Sequence, residues 1–509
     1  MEADSKFPKN RWKILAVMSL SLVIVMLNNV TLNVALPELS IDLSADNSEL
    51  QWIMDAYVLV FGGTLLVMGA LGDRFGRKGA LQIGLIIVGT ASAWTAFFAD
   101  SSSDVIIARA FMGLGAALVM PSTLSVVLVV FPPEERGKAI GIWAAMAGVG
   151  APIGLLVGGG AVEIYDWQMV FLVNVPIIIF ALIVGAIIVP RSKDKEGRPL
   201  DMLGAILSVL TLASLLFGII EGPSRGWGDY SILISFAVSI LSGLMFFYSQ
   251  KKAEYPLLPL DFFKNQGFSI GLISIAMVFF VMFLFMFMQM LHFQLVRGHS
   301  PFSAAIRFFP LPLGLMPAAA NSDRLVAKFG RSNVISVGLC LVATGLFLFT
   351  MVTIETNYLQ IAATFFLLGL GMGLTMAPST VVVMEAIPES KGGVGSATND
   401  ASREIGGALG IAIGGSVLNE VYQSKIVIPD SLSAQSGVIS ESFPAAIKIG
   451  QSMLSAGNSE GALLIQSARE SFIEGMVAAC LVGGIVALLA AIIVKLKLPN
   501  DKILTSDEE

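Results

Sequence analysis

The sequence predicts an all-α integral membrane protein with fourteen transmembrane helices. Three observations predict this class: a mean hydropathy of +0.81, a hydrophobic fraction of 55% and a charged fraction of only 13% over 509 residues. A soluble chain carries about 25% charged residues, because its surface faces water. The charge density of this chain is too low to cover a soluble protein of 53.9 kDa, and the chain is too apolar to remain disordered.

The spanning helices are predicted from runs of apolar residues. A spanning helix needs about 20 such residues, because the hydrocarbon core is about 30 Å thick and each residue advances about 1.5 Å. The runs show no alternating short-strand pattern, which excludes an outer-membrane barrel. The predicted helices lie near residues 14–37, 50–71, 79–99, 104–130, 139–162, 169–190, 201–221, 230–249, 267–291, 303–323, 334–353, 358–383, 395–417 and 473–496.

Basic residues predict the orientation of these helices. If both termini are cytoplasmic, the inside segments contain most of the 31 Lys and Arg residues, including the clusters at 74–78 and 191–198. The first apolar run is too long for a cleavable signal, so it is interpreted as a retained helix. We therefore expect a multi-pass membrane protein with both termini cytoplasmic and a long outer loop near 418–472.

Composition and motifs also exclude several functions. A net charge of −6 and a pI near 5.2 leave no basic surface for nucleic acid. Cys340 and Cys480 lie in apolar runs, and His292 and His299 are interpreted as solvated loop residues, so no metal or cofactor is expected. The stretch 457–461 fits the G-x-S-x-G spacing of hydrolases, but it lies in a polar loop without a preceding strand. The sequence therefore does not predict an enzyme.

An internal repeat organises the chain. The stretch from Met112 to Thr123 recurs, with one inserted residue, from Leu368 to Thr380. A second similarity pairs 73–77 with 323–324 and 329–331. The offset is eight helices, so two additional helices separate two six-helix halves. We expect an N-terminal half over 1–190, the inserted helices and linkers over 191–266, and a C-terminal half over 267–509. Duplicated halves are typical of secondary transporters that work by alternating access.

Two motifs contain charged residues at defined places in this pattern. The stretch 69–78 joins helices 2 and 3; in it Gly76 permits a tight turn, and Asp73 is expected to cap helix 3 beside Arg74 and Arg77. Arg109 falls within helix 4. A charge at that depth is costly in lipid, so Arg109 is expected to face the interior and to find a carboxylate or carbonyl partner.

Two further motifs lie in helices 5 and 1. Helix 5 contains Gly150, Pro152, Gly154 and Gly158, and small residues at every fourth position let two helices approach closely. Helix 1 contains the polar stretch 27–37, with Asn28 and Asn33 among its residues.

With these four motifs, the chain from about Arg11 to Lys497 resembles the major facilitator superfamily. The similarity is to its fourteen-helix drug/proton antiporter family, in the quaternary-ammonium and multidrug efflux branch. The resemblance implies export of lipophilic cationic drugs or antibiotics in exchange for protons, across a bacterial cytoplasmic (inner) membrane. It also implies that the motifs at 69–78 and 150–158 act in conformational gating. The chain departs from the family pattern at Asn28, where an Asp is usual, and at Leu155, where a Pro is usual.

The proton-coupling candidates are the charged residues within helices. Asp55 lies near the outer end of helix 2; the alternative interpretation is an interfacial Asp stabilised by the helix dipole. In helix 13, Asp400, Arg403 and Glu404 share one face, so that Asp400 and Arg403 can pair beside Glu404. A structural ion pair is the alternative there. Arg109 completes this set.

The substrate-binding candidates are polar, aromatic and methionine side chains, since thioethers suit an adaptable apolar surface. The predicted set is Asn28, Asn33, Trp52, Tyr57, Met286, Gln289, Gln294 and Arg403. For the Met- and Phe-rich helix 9, contact with lipid and neighbouring helices is the alternative interpretation.

The expected partners are a lipophilic or cationic small molecule, protons and the lipid bilayer, and the expected form is a monomer. Two other functions stay open from the sequence. One is export of an endogenous metabolite or lipid. The other is a membrane sensor of the same fold that binds ligand without transport, which the departures at Asn28 and Leu155 keep in consideration.

Overall fold

The computed structural model describes residues 7–43, 45, 47–193 and 199–500. Within these ranges, fourteen helices are long and apolar enough to cross a membrane, which confirms the predicted fold class. In chain order they are α1 Arg11–Val30, α2 Glu49–Phe75, α3 Arg77–Phe98, α4 Ser102–Val130, α5 Pro133–Ile164, α6 Met169–Ile188, α7 Met202–Arg225, α8 Tyr230–Lys252, α9 Gln266–Val296, α10 Phe302–Ala320, α11 Arg331–Phe349, α12 Tyr358–Glu385, α13 Glu389–Lys425 and α14 Glu460–Lys497.

Several helix ends differ from the prediction. The first apolar run forms two helices: α1 ends at Val30, and a separate helix, Leu32–Asp42, follows it. At the division, the Thr31 hydroxyl donates to the carbonyl oxygen of Leu27 at 2.5 Å. Near the other end of the chain, α14 begins at Glu460, well before the predicted start at residue 473. Its first turns are too polar for hydrocarbon, so a hydropathy pattern does not detect them.

The helices define two ends of the bundle. Because an even number of helices crosses it, α1 begins and α14 ends on the same side, which we call the basic end after Arg74, Arg77 and Lys78 in the connection between α2 and α3. The opposite side is the loop end, which holds the segment between α13 and α14.

Two groups of six helices meet along two seams. Across one seam, α5 packs against α10 and α12; across the other, α13 packs against α2 and α4. The additional helix α7 lies outside the second seam and contacts both α2 and α13, whereas α8 packs mainly on α7. One additional helix therefore contacts both groups.

The segment at the loop end is largely helical. It contains Asp430–Gln435, Ser436–Glu441 and Phe443–Ser455. The last of these packs against the start of α14, where the rings of Phe443 and Phe472 stack with centroids 4.3 Å apart. With 38 residues, α14 is about 57 Å long and extends well beyond a hydrocarbon core of about 30 Å.

Candidate functional site

Arg109 is a buried basic residue within α4. Its side chain is 1% exposed, and it donates from Nε to the Ile53 carbonyl oxygen at 3.0 Å and from Nη1 to that of Asn28 at 2.6 Å. The guanidinium carbon also lies 4.4 Å from the ring centre of Tyr57. The interior position and the carbonyl partners agree with the expectation from the sequence, and they join α4 to both α1 and α2.

Asn28 lies in the same polar region. Its amide nitrogen donates to the Ile24 carbonyl oxygen at 2.9 Å, and its Oδ1 lies 3.5 Å from Nδ2 of Asn174 on α6. The side chain is 4% exposed, so it is held in protein and does not line an open surface. Asn33 belongs to the helix after α1, and its side chain falls outside the part of the chain that the structure describes.

Asp55 is a buried carboxyl near the loop end. It lies six residues into α2, about 9 Å from the start of that helix. Its side chain is 9% exposed, and among the residues that the structure describes its Oδ2 has no hydrogen-bond partner. The charged groups that interact with it are Arg109 and Glu221, and Gln51 provides a hydrogen bond.

The two aromatic candidates on α2 have different surroundings. Tyr57 is fully buried, and its hydroxyl donates to the Val25 carbonyl oxygen at 2.9 Å. Trp52 points towards the additional helix α7, where its ring centre lies 6.3 Å from that of Phe217. The structure therefore places Tyr57 beside Arg109 and Trp52 against α7.

Glu221 is a charged residue that sequence reasoning missed. It is 2% exposed at the last full turn of α7 and pairs with Arg225 at 2.5 Å. The sequence predicts that α7 ends near 221, and Glu221 is not among the sequence-based candidates. A useful signal was present in the sequence, since the glycines and proline at 218, 222 and 223 permit close packing around it.

A second charged group, the central cluster of Asp400, Arg403 and Glu404, lies in α13. Asp400 is about 12 Å from Gly392, where the regular part of the helix begins. Asp400 and Arg403 are 0% and 1% exposed, and their Oδ1 and Nη1 atoms are 3.8 Å apart. Asn399 donates to Asp400 at 3.2 Å. The sequence-based pairing of Asp400 with Arg403 is therefore present.

Arg403 also joins the two groups of helices. Its guanidinium carbon lies 4.7 Å from the ring centre of Trp143 on α5 and 5.2 Å from that of Phe279 on α9. The Trp143 indole donates to the Thr123 hydroxyl at 3.0 Å, and Arg403 Nη2 lies 3.5 Å from the hydroxyl of Thr380. Thr123 and Thr380 occupy equivalent positions in the internal repeat, so both copies contribute to this contact.

Glu404 faces the first six helices. It is 8% exposed, and a Cβ built on Gly62 of α2 would lie 3.8 Å from its Cβ. The same Cβ would collide with Leu216 of α7 at 2.3 Å. Glu404 therefore lies where α2, α7 and α13 meet, about 10 Å from the level of Asp55 along α2.

A set of contacts closes the seam at the basic end, and we call this set the latch. Asp73 on α2 accepts hydrogen bonds from the backbone nitrogen atoms of Gly393 and Val394 on α13, at 2.7 and 3.1 Å. Arg77 donates to Asp73 at 2.9 Å and also to the Glu389 carbonyl oxygen. The expectation that Asp73 caps the third helix is wrong: the helix start that Asp73 caps is that of α13, in the other group of six.

Two other gating candidates flank the latch. Gly76 has φ of 123°, a conformation that favours glycine, and this lets α2 turn directly into α3. Arg74 is half-buried with its guanidinium over the Phe75 ring. On the other side, Arg136 of α5 forms an ion pair with Glu389, so α5 is connected to α13 as well.

The glycines of α5 use two faces. A Cβ at Gly150 would lie 2.5 Å from Met26, and a Cβ at Gly158 would lie 2.8 Å from the Thr31 carbonyl oxygen. This face therefore packs tightly against α1 and the residue that follows it. Gly154 lies on the same face with ordinary contacts of 3.4 Å and more, and Pro152 is within the helix. The other face meets α10, since a Cβ at Gly141 would lie 2.7 Å from the Ala319 carbonyl oxygen.

The candidates on α9 separate into two groups. Met286 is half-buried and shares a helix face with Phe279, which contacts Arg403. Gln289 instead faces α14, with its amide nitrogen 3.4 Å from Met476 Sδ and its oxygen 3.1 Å from Nδ1 of His292. The interpretation of His292 as a solvated loop residue is wrong, because this side chain is 0% exposed. Gln294 is half-buried in the π-helical turn that ends α9.

Comparison with known sequences gives extensive similarity. The sequence profile of the Major Facilitator Superfamily matches residues 18–411. The multidrug efflux pump LfrA of Mycolicibacterium smegmatis is 30% identical over 496 residues, 97% of either chain. The methylenomycin A resistance protein of Bacillus subtilis is 32% identical, covering 80% of this chain and 87% of its own length. The methyl viologen resistance protein SmvA of Salmonella typhimurium is 30% identical, covering 95% and 97%.

Solved structures show the same fold. The human organic anion transporter MFSD10 superimposes with a TM-score of 0.63 at 14% identity, covering 96% of this chain and all of that one. The proton:xylose symporter XylE gives a TM-score of 0.60 at 14% identity, covering 96% of both chains. At these identities the similarity extends to the arrangement of helices alone.

Proposed function

Since this chain belongs to the Major Facilitator Superfamily, it is a multi-pass membrane transporter rather than an enzyme, and we propose that it exports drugs in exchange for protons. The substrates we propose are lipophilic cations. Similarity to multidrug efflux and resistance proteins along nearly the whole chain supports drug efflux, and the buried acids support the choice of cations and protons.

The central cluster is the observation that carries the proposal. It holds two carboxyl groups and one guanidinium, so it has a surplus of one negative charge when both acids are ionised. A buried surplus charge is costly, and either a proton or a cationic substrate can neutralise it. Because one negative charge cannot serve both at once, proton and cation compete, and this competition is the basis of exchange.

The surroundings of the cluster suit an amphipathic cation. Trp143 and Phe279 present aromatic faces, which attract cations, and Met286 continues that face of α9 with an adaptable thioether. A lipophilic cation could take the position of the Arg403 guanidinium over these rings. Asp55 would provide a second acid, nearer the loop end.

Alternating access would use the two seams. We propose that α1–α6 and α9–α14 move against each other, with the latch closing the basic end in the state described. The orientation proposed is the basic end in the cytoplasm, with both termini there, in a bacterial cytoplasmic membrane. This state would then be closed to the cytoplasm. One chain supplies every residue of the proposed path, so we propose a monomer as the working unit.

The test uses vesicles that contain the purified protein and a pH-sensitive dye. A proton gradient is imposed, ethidium is added, and wild type is compared with Asp55→Asn and Glu404→Gln. Antiport predicts proton movement when ethidium is added to the wild-type protein. In Glu404→Gln the cluster has no surplus negative charge, so this proton movement should be lost and ethidium should bind more weakly. The exposed pair Lys425 and Glu474 supplies a control, Glu474→Gln, in which proton movement should persist.

Other outcomes would select the alternatives. Ethidium binding without proton movement in wild type would contradict antiport and favour a sensor. Absence of ethidium binding, together with proton movement evoked by a metabolite or lipid, would favour export of an endogenous compound.

A further inference from the structure

The aromatic site proposed for the cationic substrate holds a cationic side chain of the protein itself. The guanidinium carbon of Arg403 lies 4.7 Å from the ring centre of Trp143 and 5.2 Å from that of Phe279. Trp143 belongs to α5 and Phe279 to α9, so the guanidinium lies between the two groups of six helices. The faces of aromatic rings attract a cation most strongly where water is excluded, and Arg403 is only 1% exposed.

The position over the rings leaves part of the guanidinium without hydrogen bonds. Among the residues that the structure describes, Nε and Nη1 of Arg403 have no hydrogen-bond acceptor. Nη2 lies 3.5 Å from the Thr380 hydroxyl, which is long for a hydrogen bond. Nη1 is 3.8 Å from Oδ1 of Asp400, close enough for attraction but too far for a hydrogen bond. Buried N–H groups without acceptors are costly, and this cost partly offsets the attraction of the rings.

Asp400 offers the guanidinium a second position. It precedes Arg403 by three residues in α13, and residues at this spacing share a helix face. A change in the side-chain torsion angles of Arg403 can therefore bring its N–H groups to the Asp400 carboxylate. Asn399 donates to Oδ1 of that carboxylate at 3.2 Å and helps to hold it in place. A cation that binds over the rings thus moves the guanidinium towards Asp400 without removing its charge from the cluster.

We propose that Arg403 is a built-in competitor of the substrate: its guanidinium occupies the cation site over Trp143 and Phe279, and a cationic substrate binds by displacing it. The inference rests on the proposed export of lipophilic cations. The charged groups that act on Arg403 are Asp400 and Glu404. With both acids ionised, these three residues have a net charge of −1 before and after the displacement, and one monovalent cation neutralises it.

This competition selects a class of substrate. A guanidinium is weakly hydrated and stacks well on aromatic rings, so a small, strongly hydrated cation such as sodium or ammonium gains too little to displace it. A planar aromatic cation buries more apolar surface against the rings than the guanidinium does, and the hydrophobic gain grows with that area. The substrates that displace Arg403 are therefore cations with extended aromatic surface and delocalised charge. Return of Arg403 to the rings favours their release.

Removal of the competitor at constant net charge is the decisive experiment. Asp400→Asn combined with Arg403→Gln removes one negative and one positive charge, so the surplus of one negative charge remains, on Glu404. We expect this double variant to bind ethidium about tenfold more tightly than wild type, because the rings are no longer occupied by a cation. The measurement is fluorescence titration of the purified full-length protein in detergent, without a proton gradient. Equal or weaker binding overturns the inference.

Addition of the competitor as a free ion is the complementary experiment. Arg403→Ala removes the guanidinium, and methylguanidinium carries the same charged group. Methylguanidinium should weaken ethidium binding competitively in Arg403→Ala and have little effect on wild type, with sodium chloride at equal concentration as the control for ionic strength. Arg307→Ala is the matched variant, since it removes an arginine that lies 5.6 Å from the ring centre of Tyr358, outside the cluster, and should behave as wild type.

The outcomes separate this inference from the function on which it rests. Ethidium binding and ethidium-evoked proton movement in wild type, with the same effect of methylguanidinium on wild type and Arg403→Ala, overturn the role of Arg403 and leave antiport standing. Absence of ethidium binding to wild type and to every variant overturns both. If the double variant does not fold, the experiment with Arg403→Ala decides.

Discussion

At the scale of single residues, the buried contacts of Arg109 should contribute strongly to the free energy of unfolding. Replacement by Lys keeps the charge but cannot donate to the carbonyl oxygens of both Ile53 and Asn28 while lying flat on Tyr57. A hydrogen bond to a charged group contributes about 1.5–3 kcal/mol. We therefore expect Arg109→Lys to lower the free energy of unfolding by about 2–4 kcal/mol, measured by thermal unfolding in detergent.

The control is an arginine with similar contacts at a more exposed place. Arg307 donates to the Ser303 carbonyl oxygen at 2.7 Å and lies 5.6 Å from the Tyr358 ring centre, but it is only half-buried. Arg307→Lys should change stability by less than about 1 kcal/mol, because water replaces what is lost. Equal destabilisation by both variants would contradict the importance assigned to burial.

For single residues, the sequence predicts that a side chain requires a hydrogen-bond partner more reliably than it predicts which atom is that partner. It indicated that Arg109 requires an interior acceptor, since the cost of a charge in hydrocarbon does not depend on the neighbours. The acceptors are backbone atoms of two other helices, which no spacing rule identifies. For Asp73 the predicted cap was local and wrong, because a helix start more than 300 residues away in the chain offers the same backbone nitrogen atoms.

At the scale of helices, α5 packs closely against the end of α1, and its glycines make this close packing possible. A Cβ at Gly158 would lie 2.6 Å from the Thr31 Cγ2 atom and 2.8 Å from its carbonyl oxygen, so the backbone must move to accept it. We expect Gly158→Ala to lower the free energy of unfolding by about 1–3 kcal/mol, as overpacking does. Thermal unfolding in detergent, combined with the vesicle assay, measures both stability and transport.

Gly154 supplies the matched control on the same face of α5. A Cβ there would make ordinary contacts of 3.4 Å to Thr31 and 3.5 Å to Leu27. Gly154→Ala should therefore be close to neutral, or slightly stabilising because Ala is the better helix former. Destabilisation of Gly154→Ala to the same degree as Gly158→Ala would contradict this description of the contact.

The sequence predicts that each helix exists more reliably than it predicts the residues at which the helix begins and ends. Fourteen helices could be counted because each needs about 20 apolar residues, and that requirement is set by the membrane. The early start of α14 is accompanied by packing of Phe443 on Phe472, a contact that hydropathy does not contain. Likewise, the sequence predicts that α7 ends near 221, whereas the helix continues to Arg225.

For the whole molecule, the latch joins the two groups of six helices at the basic end. Arg136 of α5 and Glu389 of α13 form an ion pair across the seam, in the same region as the contacts of Asp73 with Gly393. The proposed alternating access requires these contacts to separate in every cycle. The sequence predicted that the stretch 69–78 takes part in gating through its resemblance to a family; the residues on the opposite side of the seam come from the structure.

A covalent bridge across the latch should stop the cycle. We expect Arg136→Cys with Glu389→Cys, joined by a bifunctional thiol reagent in a background lacking Cys340 and Cys480, to bring ethidium transport to background. Reduction of a cleavable bridge should restore it. The control pair is Arg331 on α11 and Glu385 on α12, 2.6 Å apart within the last six helices, where a bridge should leave transport unchanged. Transport that persists with the bridge from 136 to 389 would show that this end does not open, and the proposed movement of the two groups would have to be abandoned.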